Sequence, residues 1–187
     1  MTQSTQGEPK IPMTFVEYLE FEEQSPVKHE FVNGRLRAMA GGSRVHGQII
    51  TNVTANIHRI SRGKGCRVYS SDVKTVVNSS GYYPDVMLAC GPSDDDKLIE
   101  RNPCVIVEVL SPSTAITDYN EKRWAYSKIS TLEQYIIVSS DTVQVEVNTR
   151  HADGWFSRVY VTREDSFLLD SLNASLTLEG IYEDIEF

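Results

Sequence analysis

Apolar positions change their spacing part-way along the chain. Up to about residue 62 they recur at helical intervals; beyond it they come in short runs or alternate, as strands do. Thr14-Phe15-Val16-Glu17 has the form of a capping box, a hydroxyl at the N-cap and a glutamate three residues on. It predicts a short helix through about Glu23, with Phe15, Val16 and Leu19 on its apolar side. Ser25-Pro26 ends that helix, because a residue before proline is pushed out of the helical region. Glu30 to Leu36 then reads as a β-hairpin turning at Asn33-Gly34. Gly41-Gly42-Ser43 opens a longer helix, whose apolar positions Val45, Ile49, Val53, Ile57 and Ile60 fall three or four apart. Gly63 to Gly65 stops it.

The second region predicts strands at Cys66–Tyr69, Asp72–Val77, Pro84–Cys90 and Pro103–Ser111, with turns at Asn78–Gly81 and Gly91–Asp96. Ser113 to Ile129 predicts a second long helix with Trp124, Ala125 and Ile129 inward. Gln134–Val138 and Thr142–Asn148 form a hairpin around Ser139-Ser140-Asp141, and Trp155–Val161 adds a strand. From Phe167 on the chain is apolar enough to pack, but the pattern names no element. The whole reads as an α/β (α+β) fold, a mixed central β-sheet flanked by helices with additional β-hairpins. Residues 13–187 make one domain behind a polar, disordered tail of residues 1–12.

Composition narrows the class. The chain has 187 residues, 40% hydrophobic and 24% charged, the balance of a globular protein. No apolar run reaches the length of a membrane span, and Met1 to Pro9 lacks the apolar segment of a signal peptide. Cys66, Cys90 and Cys104 match neither a zinc pattern nor a disulfide framework. They read as buried reduced thiols in a cytoplasmic protein. The net charge of −8 argues against a nucleic-acid partner, but its distribution does not. Residues 28–74 carry nine Lys and Arg against Glu30 and Asp72, a net of +7. Either a basic face sits on an acidic protein, or these charges are solvated and paired elsewhere.

Two acids stand inside apolar strand sequence: Asp85 in Tyr82–Ala89 and Glu108 in Cys104–Leu110. Carboxylates are rarely buried without a partner. Alternation puts Asp85, Met87 and Ala89 on one face of their strand, and Ile106, Glu108 and Leu110 on one face of theirs. If the strands are neighbours, the two carboxylates converge. One must then protonate unless a cation sits between them. Magnesium relieves that repulsion and keeps several waters; such a water, lowered in pKa, attacks a phosphodiester. Lys122, on the helix after the Glu108 strand, can orient the water or stabilise charge in the transition state. The plainer reading has Asp85 capping a turn after Pro84, Glu108 paired with a buried arginine, and Lys122 on the surface. Ser111-Pro112-Ser113-Thr114 lacks a nucleophile-elbow pattern and reads as a strand-to-helix turn with an N-cap. His46, at a helix start, fits a phosphate contact or a structural role equally. Asp72 and Lys74 either line the same cleft or pair at the surface.

Tyr83-Pro84-Asp85-Val86, Val107 to Thr114, Asp118 with Lys122 and Tyr126, and Leu132-Glu133-Gln134-Tyr135 together resemble the Uma-two family, restriction-endonuclease-like proteins of the PD-(D/E)XK nuclease superfamily. The resemblance runs from about Thr14 to Val147. It also takes in Glu30 within His29–Gly34 and His46-Gly47. It implies a restriction-endonuclease-like core, a mixed four-stranded sheet flanked by helices. It implies that Asp85 and Glu108 ligate Mg²⁺ or Mn²⁺, with the Val109 carbonyl as an extra ligand. Glu30 maps to a further acidic position, for a second metal or a metal-bound water. The superfamily signature has a lysine two residues after the second acid; here that residue is Leu110, and the resemblance moves the lysine to Lys122. The expected function is a metal-dependent endonuclease acting on DNA, with Arg44, His46, Arg59, Arg62 and Lys64 on phosphates and a homodimer to cut both strands. The alternatives are a non-catalytic DNA-binding or protein-interaction module on the same fold, and a structural protein with a buried ion pair.

Overall fold

A computed structural model describes residues 12–39, 41–92, 96–110 and 115–187, without the side chains of 115–118. Most of the expected tail (residues 1–11), Asp94-Asp95 of the acidic loop and the Ser111–Thr114 turn lie outside the described residues. Helix α1 spans Phe15–Gln24, and its capping box forms, with the Thr14 side chain accepting from the Glu17 N–H. The face it buries differs from the expected one. Val16 is 65% exposed and Tyr18 is fully buried. The ring of Tyr18 stacks on Phe31 at 4.9 Å, and its hydroxyl donates to the His29 carbonyl at 2.7 Å. A tyrosine buries well once its polar tip is satisfied, and hydrophobic periodicity does not register that.

Strands β1 (His29–Val32) and β2 (Arg35–Ala38) form the expected hairpin. Asn33 and Gly34 both take positive φ, 50° and 80°, as a two-residue turn of this hand requires. The expected strand Asp72–Val77 shrinks to β4 (Thr75–Val77), and the turn after it to Asn78-Ser79, because Ser80 already opens β5 (Ser80–Tyr82). These four strands make one sheet in the order β2-β1-β5-β4.

The central sheet has six strands. They are β3 (Cys66–Ser70), β6 (Val86–Cys90), β7 (Val105–Leu110), β8 (Gln134–Ser139), β9 (Val145–His151) and β10 (Gly154–Tyr160), in the order β10-β9-β8-β7-β6-β3. Only the β7–β8 pair is parallel among them. A parallel pair needs a crossover, and α3 (Ala115–Tyr126) supplies it. The four strands β8, β7, β6 and β3 form the mixed core that the family resemblance implies, and the β9–β10 hairpin extends it. The fold is restriction-endonuclease-like, mixed α+β with helices on the sheet.

Alternation along β6, β7 and β8 sends two sets of apolar side chains to opposite faces. Val86, Leu88, Val105, Val107, Ile136 and Val138 meet α2 (Arg44–Ser61) through its buried Ile49, Val53 and Ile57. The chain after Phe167, for which the sequence names no element, closes this core. It forms the β11–β12 hairpin (Ser166–Leu169 with Ala174–Thr177), a 3-10 turn between them and the short α4 (Leu178–Ile181). On the other face Met87, Ile106, Tyr135 and Ile137 pack against Tyr126, Ala125 and Ile129. Trp124 was expected among them; it is 64% exposed instead. No described helix is long and apolar enough to cross a membrane.

The cysteines also correct the reading. Cys66 and Cys90 are direct partners across the β3–β6 ladder, with Cα atoms 4.1 Å apart, and they form a disulfide. Pairing register brings together residues that sequence spacing does not connect. Cys104 is the buried free thiol, and burial pushes its pKa up.

Ile106 sits in the middle strand with no exposed surface. Ile106→Ala leaves a cavity beside Tyr126 and Tyr135, and the expected cost is about 2–5 kcal/mol. Urea unfolding checks it: the midpoint falls while the slope is retained.

Candidate active site

The antiparallel β6–β7 ladder stops where Val86 faces Val107. Asp85, one residue before β6 rather than within it, continues the contact with its side chain. Its Oδ2 accepts the Val109 N–H at 2.7 Å. A strand residue sends its N–H and C=O to the same side, so the Val109 carbonyl faces the Asp85 side as well. The Glu108 side chain leaves the sheet under α3, within electrostatic reach of Asp85, and is 4% exposed. Its Oε1 accepts from Lys122 Nζ at 3.1 Å and from the Tyr126 hydroxyl at 2.8 Å. Both donors fall on Oε1, which leaves Oε2 clear of these two groups. Lys122 and Tyr126 are four residues apart, so one face of α3 carries both.

Lys122 also reaches Glu30 of β1. Its Nζ is 2.9 Å from Glu30 Oε1, close enough for an ion pair but without hydrogen-bond geometry. Glu30 faces Arg37 across the β1–β2 hairpin, and its Oε2 lies 3.9 Å from that guanidinium. Arg37 in turn donates to both carboxylate oxygens of Glu121 at 3.2 Å. Charges of alternating sign therefore run from the hairpin through α3 to the central sheet.

His46 closes the opposite side. Ser43 caps α2 through the His46 N–H at 3.1 Å, and His46 Nε2 lies 3.6 Å from Asp85 Oδ2. At that separation the contact is longer than a hydrogen bond, and it becomes an ion pair when the imidazole is protonated. Gly42 makes room for the ring, since a Cβ there would come within 2.5 Å of His46 Nδ1.

Burial shapes the electrostatics. It pushes the Glu108 carboxyl up to about 8, with Asp85 and Glu30 adding to the rise and Lys122 and Tyr126 opposing it. For Lys122 burial disfavours the charge, but the Glu108 and Glu30 carboxylates outweigh it and hold the pKa above its ordinary value. The group stays an ammonium at neutral pH. The Asp85 carboxylate raises His46 against the opposing effect of burial.

Asp85, Glu108, Lys122, Glu30, Val109 and His46 are thus brought together, with Arg44 exposed two residues before His46. Arg59, Arg62 and Lys64 are not part of this group. At 1.5 Å per residue Arg59 lies about 22 Å further along α2 than Arg44. Arg59 donates to Asn56 Oδ1 at 3.1 Å, and the Lys64 ammonium donates to the Leu172 carbonyl. The partner of Glu108 is a lysine and not an arginine. Lys74 is buried on the Tyr83 hydroxyl at 3.0 Å, and Asp72 pairs with Lys28. Tyr126, Arg37 and Glu121 hold the site, yet sequence reasoning gave them no role. The spacing of Lys122 and Tyr126 on one helix was the available signal.

The donor set suits a hard cation, which prefers carboxylate, carbonyl and water oxygens. Among the described residues no three His, Cys, Asp or Glu side chains converge on one point. An ion here would take the two carboxylates, with the Val109 carbonyl and water completing its shell. The raised Glu108 supports the fit, because two carboxylates share the single buried ammonium of Lys122 and Asp85 adds a further negative charge close by, which a cation would balance.

Comparison with known proteins bears on the fold and the family. A solved chain described as a putative nuclease belonging to DUF820, from Anabaena variabilis, superposes with a TM-score of 0.76 over 91% of this chain and 97% of its own, at 15% identity. That likeness speaks for the fold. The uncharacterized protein slr1290 of Synechocystis sp. is 33% identical over 174 residues, 91% of this chain and 92% of its own. A second uncharacterized protein of that organism, sll1609, is 31% identical over 139 residues, 72% of this chain and 78% of its own. The model of the Uma2 family, described as "putative restriction endonuclease", matches residues 15–181, and the chain belongs to that family.

Proposed function

We propose that this protein is a Mg²⁺- or Mn²⁺-dependent endonuclease that hydrolyses phosphodiester bonds of DNA. The observation that carries the reading is the 3.1 Å contact between Lys122 Nζ and Glu108 Oε1. Leu110 stands where the nuclease superfamily has its lysine; an ammonium arriving from α3 at the second acid supplies the same charge at the same carboxylate. This favours the nuclease reading over a purely binding module. Asp85, Glu108 and the Val109 carbonyl would hold the cation. When bound, it supplies Lewis-acid polarisation and a water of lowered pKa.

The remaining work falls to the chain's own groups. Lys122, permanently charged, donates to the attacking water and offsets the negative charge that builds on the phosphoryl oxygens. Glu30 and Tyr126 position it: Glu30 holds the ammonium from the other side, and Tyr126 shares the Glu108 oxygen. Arg44 and His46, at the N-terminus of α2, face the phosphate being cut, where helix amides also favour an anion. Arg59, Arg62 and Lys64 serve phosphates further along the duplex. A homodimer would present two such sites to the two strands.

Purified protein incubated with plasmid and either cation is expected to nick it, with chelator and Asp85→Ala each abolishing the reaction. Lys122→Met is expected to lower the rate by about 100-fold or more. Wild type no faster than Asp85→Ala, across substrates and metals, rejects the reading.

The raised Glu108 yields a second expectation. An acid whose pKa is higher folded than unfolded takes up a proton on folding. Its contribution to stability is full below the unfolded value near 4.5 and is lost as pH rises through about 8. Metal-free protein is therefore expected to melt at lower temperature at pH 8.5 than at pH 5. Added Mg²⁺ or Mn²⁺ recovers the difference by binding the ionised form. Glu108→Gln flattens the profile, and thermal melts across pH with and without metal read it.

A further inference from the structure

Three sulfurs follow one another across the central sheet. Cys66 of β3 and Cys90 of β6 are joined, and Cys104 Sγ, one residue before β7, lies 3.6 Å from Cys90 Sγ. The Cys104 N–H and thiol both donate to the Leu88 carbonyl, at 2.8 Å and 3.3 Å. Backbone and side chain are therefore both held against β6. The strand order is β7-β6-β3, so Cys90 has Cys66 on one side and Cys104 on the other. Cys90 ends β6, five residues from Asp85 or roughly 17 Å along the strand. The proposed phosphodiester chemistry uses none of the three.

Disulfides exchange when a thiolate attacks one sulfur of the bond and displaces the other. Attacker, centre and leaving group must lie in that order, with the first two in contact. The order of the strands supplies the first condition, and the 3.6 Å contact the second. A buried thiol away from any disulfide is inert; this one rests on a disulfide. Water has a way in. A cavity of about 630 Å³ is lined by both Cys90 and Cys104, with Glu133, Arg150 and Ser171 beside them. Cys66 and Cys90 are only half-buried.

We propose that Cys66, Cys90 and Cys104 form a thiol–disulfide exchange site, in which Cys90 passes from Cys66 to Cys104. Cys104 gives its proton to water in the cavity, and its thiolate attacks Cys90 Sγ. The Cys90–Cys104 bond forms as the Cys66–Cys90 bond breaks. Cys66 leaves as a thiolate and takes a proton from water. One disulfide and one thiol stand on each side of the step, so no oxidant or reductant is consumed. Burial keeps Cys104 protonated at neutral pH, and the exchange is accordingly slow there. Its outcome is structural. The covalent tie moves from the edge pair β3–β6 to β6–β7, the strands beside Asp85 and Glu108, and a half-buried thiol opens at Cys66. The exchange is independent of the nuclease reading.

Full-length protein is reduced, oxidised with glutathione disulfide and freed of the oxidant. Tryptic cleavage after Lys64, Arg67, Lys74, Lys97 and Arg101 puts each cysteine on its own peptide. Mass spectrometry then reads which pair is joined and which thiol is free. The native protein is held with an alkylating reagent at mildly alkaline pH, which traps each thiol as it appears. Wild type is expected to lose the Cys66–Cys90 pair and to gain Cys90–Cys104 with label on Cys66, at a rate that dilution leaves unchanged. Labelling of Cys66 is expected to fall about ten-fold or more in Cys104→Ser. Asp85→Ala is expected to exchange as wild type does, whether or not wild type cuts plasmid. Should Cys104→Ser not fold, Cys66→Ser serves: oxidation is expected to join Cys90 to Cys104. Four results overturn the proposal: label on Cys104 alone with Cys66–Cys90 retained; equal Cys66 labelling in Cys104→Ser; a mixed disulfide with glutathione at Cys90 in Cys66→Ser; or no disulfide among the three after oxidation. Exchange that slows on dilution passes between molecules and overturns it as well.

Discussion

The ammonium of Lys122 is the point on which the two sheets and α3 depend. It arrives from the crossover helix and sits between Glu108 of the central sheet and Glu30 of the hairpin sheet. A charge moved from water into a protein interior loses several kcal/mol of solvation, and the carboxyl oxygens of Glu30 and Glu108 at about 3 Å offset that loss. Glu30 and, once ionised, Glu108 depend in turn on the ammonium. The hairpin sheet is therefore tied to the rest of the fold by charge as well as by apolar contact, and the crossover helix cannot shift along the sheet without uncovering an unpaired ion. This differs from a surface ion pair, which contributes little because water solvates both partners.

Register decides where each charge stands. A slip of one residue in β7 would turn Glu108 into the aliphatic core around α2 and Val107 toward Lys122. The apolar residues on either side prevent that: Val105, Val107 and Val109 fill one core, Ile106 the other. A polar centre is thus positioned by the hydrophobic pattern of the strand that carries it. Asp85 is set differently. It lies beyond the end of its ladder and is placed by one side-chain bond to a backbone amide.

Much of this was legible in the sequence, for reasons that can be separated. Helix α2 was plain because its apolar stripe is regular and its ends carry serine and glycine. The β1–β2 hairpin was plain because Asn-Gly favours one turn. Asp85, Glu108 and Lys122 were identified by acids in apolar runs and by family strings; the fold sets Lys122 on Glu108 and Asp85 on the amide of the next residue, Val109. Tyr18 was missed and Trp124 misplaced, for opposite reasons. A tyrosine with a satisfied hydroxyl buries more readily than its polarity suggests, while a tryptophan can be held outward by what surrounds it. The Cys66–Cys90 pair, the β5 strand and the Arg37–Glu121 contact depend on which segments become neighbours, and local sequence does not carry that.

Glu30 lies near the start of the chain and Lys122 well past its middle, so their pairing closes a long loop. Such contacts bear a large entropic cost before they bring any gain, and they form late. A growing or partly folded chain can therefore complete its central sheet without a finished acidic centre. The ion pair between the sheets makes the acidic centre a property of the fully assembled molecule.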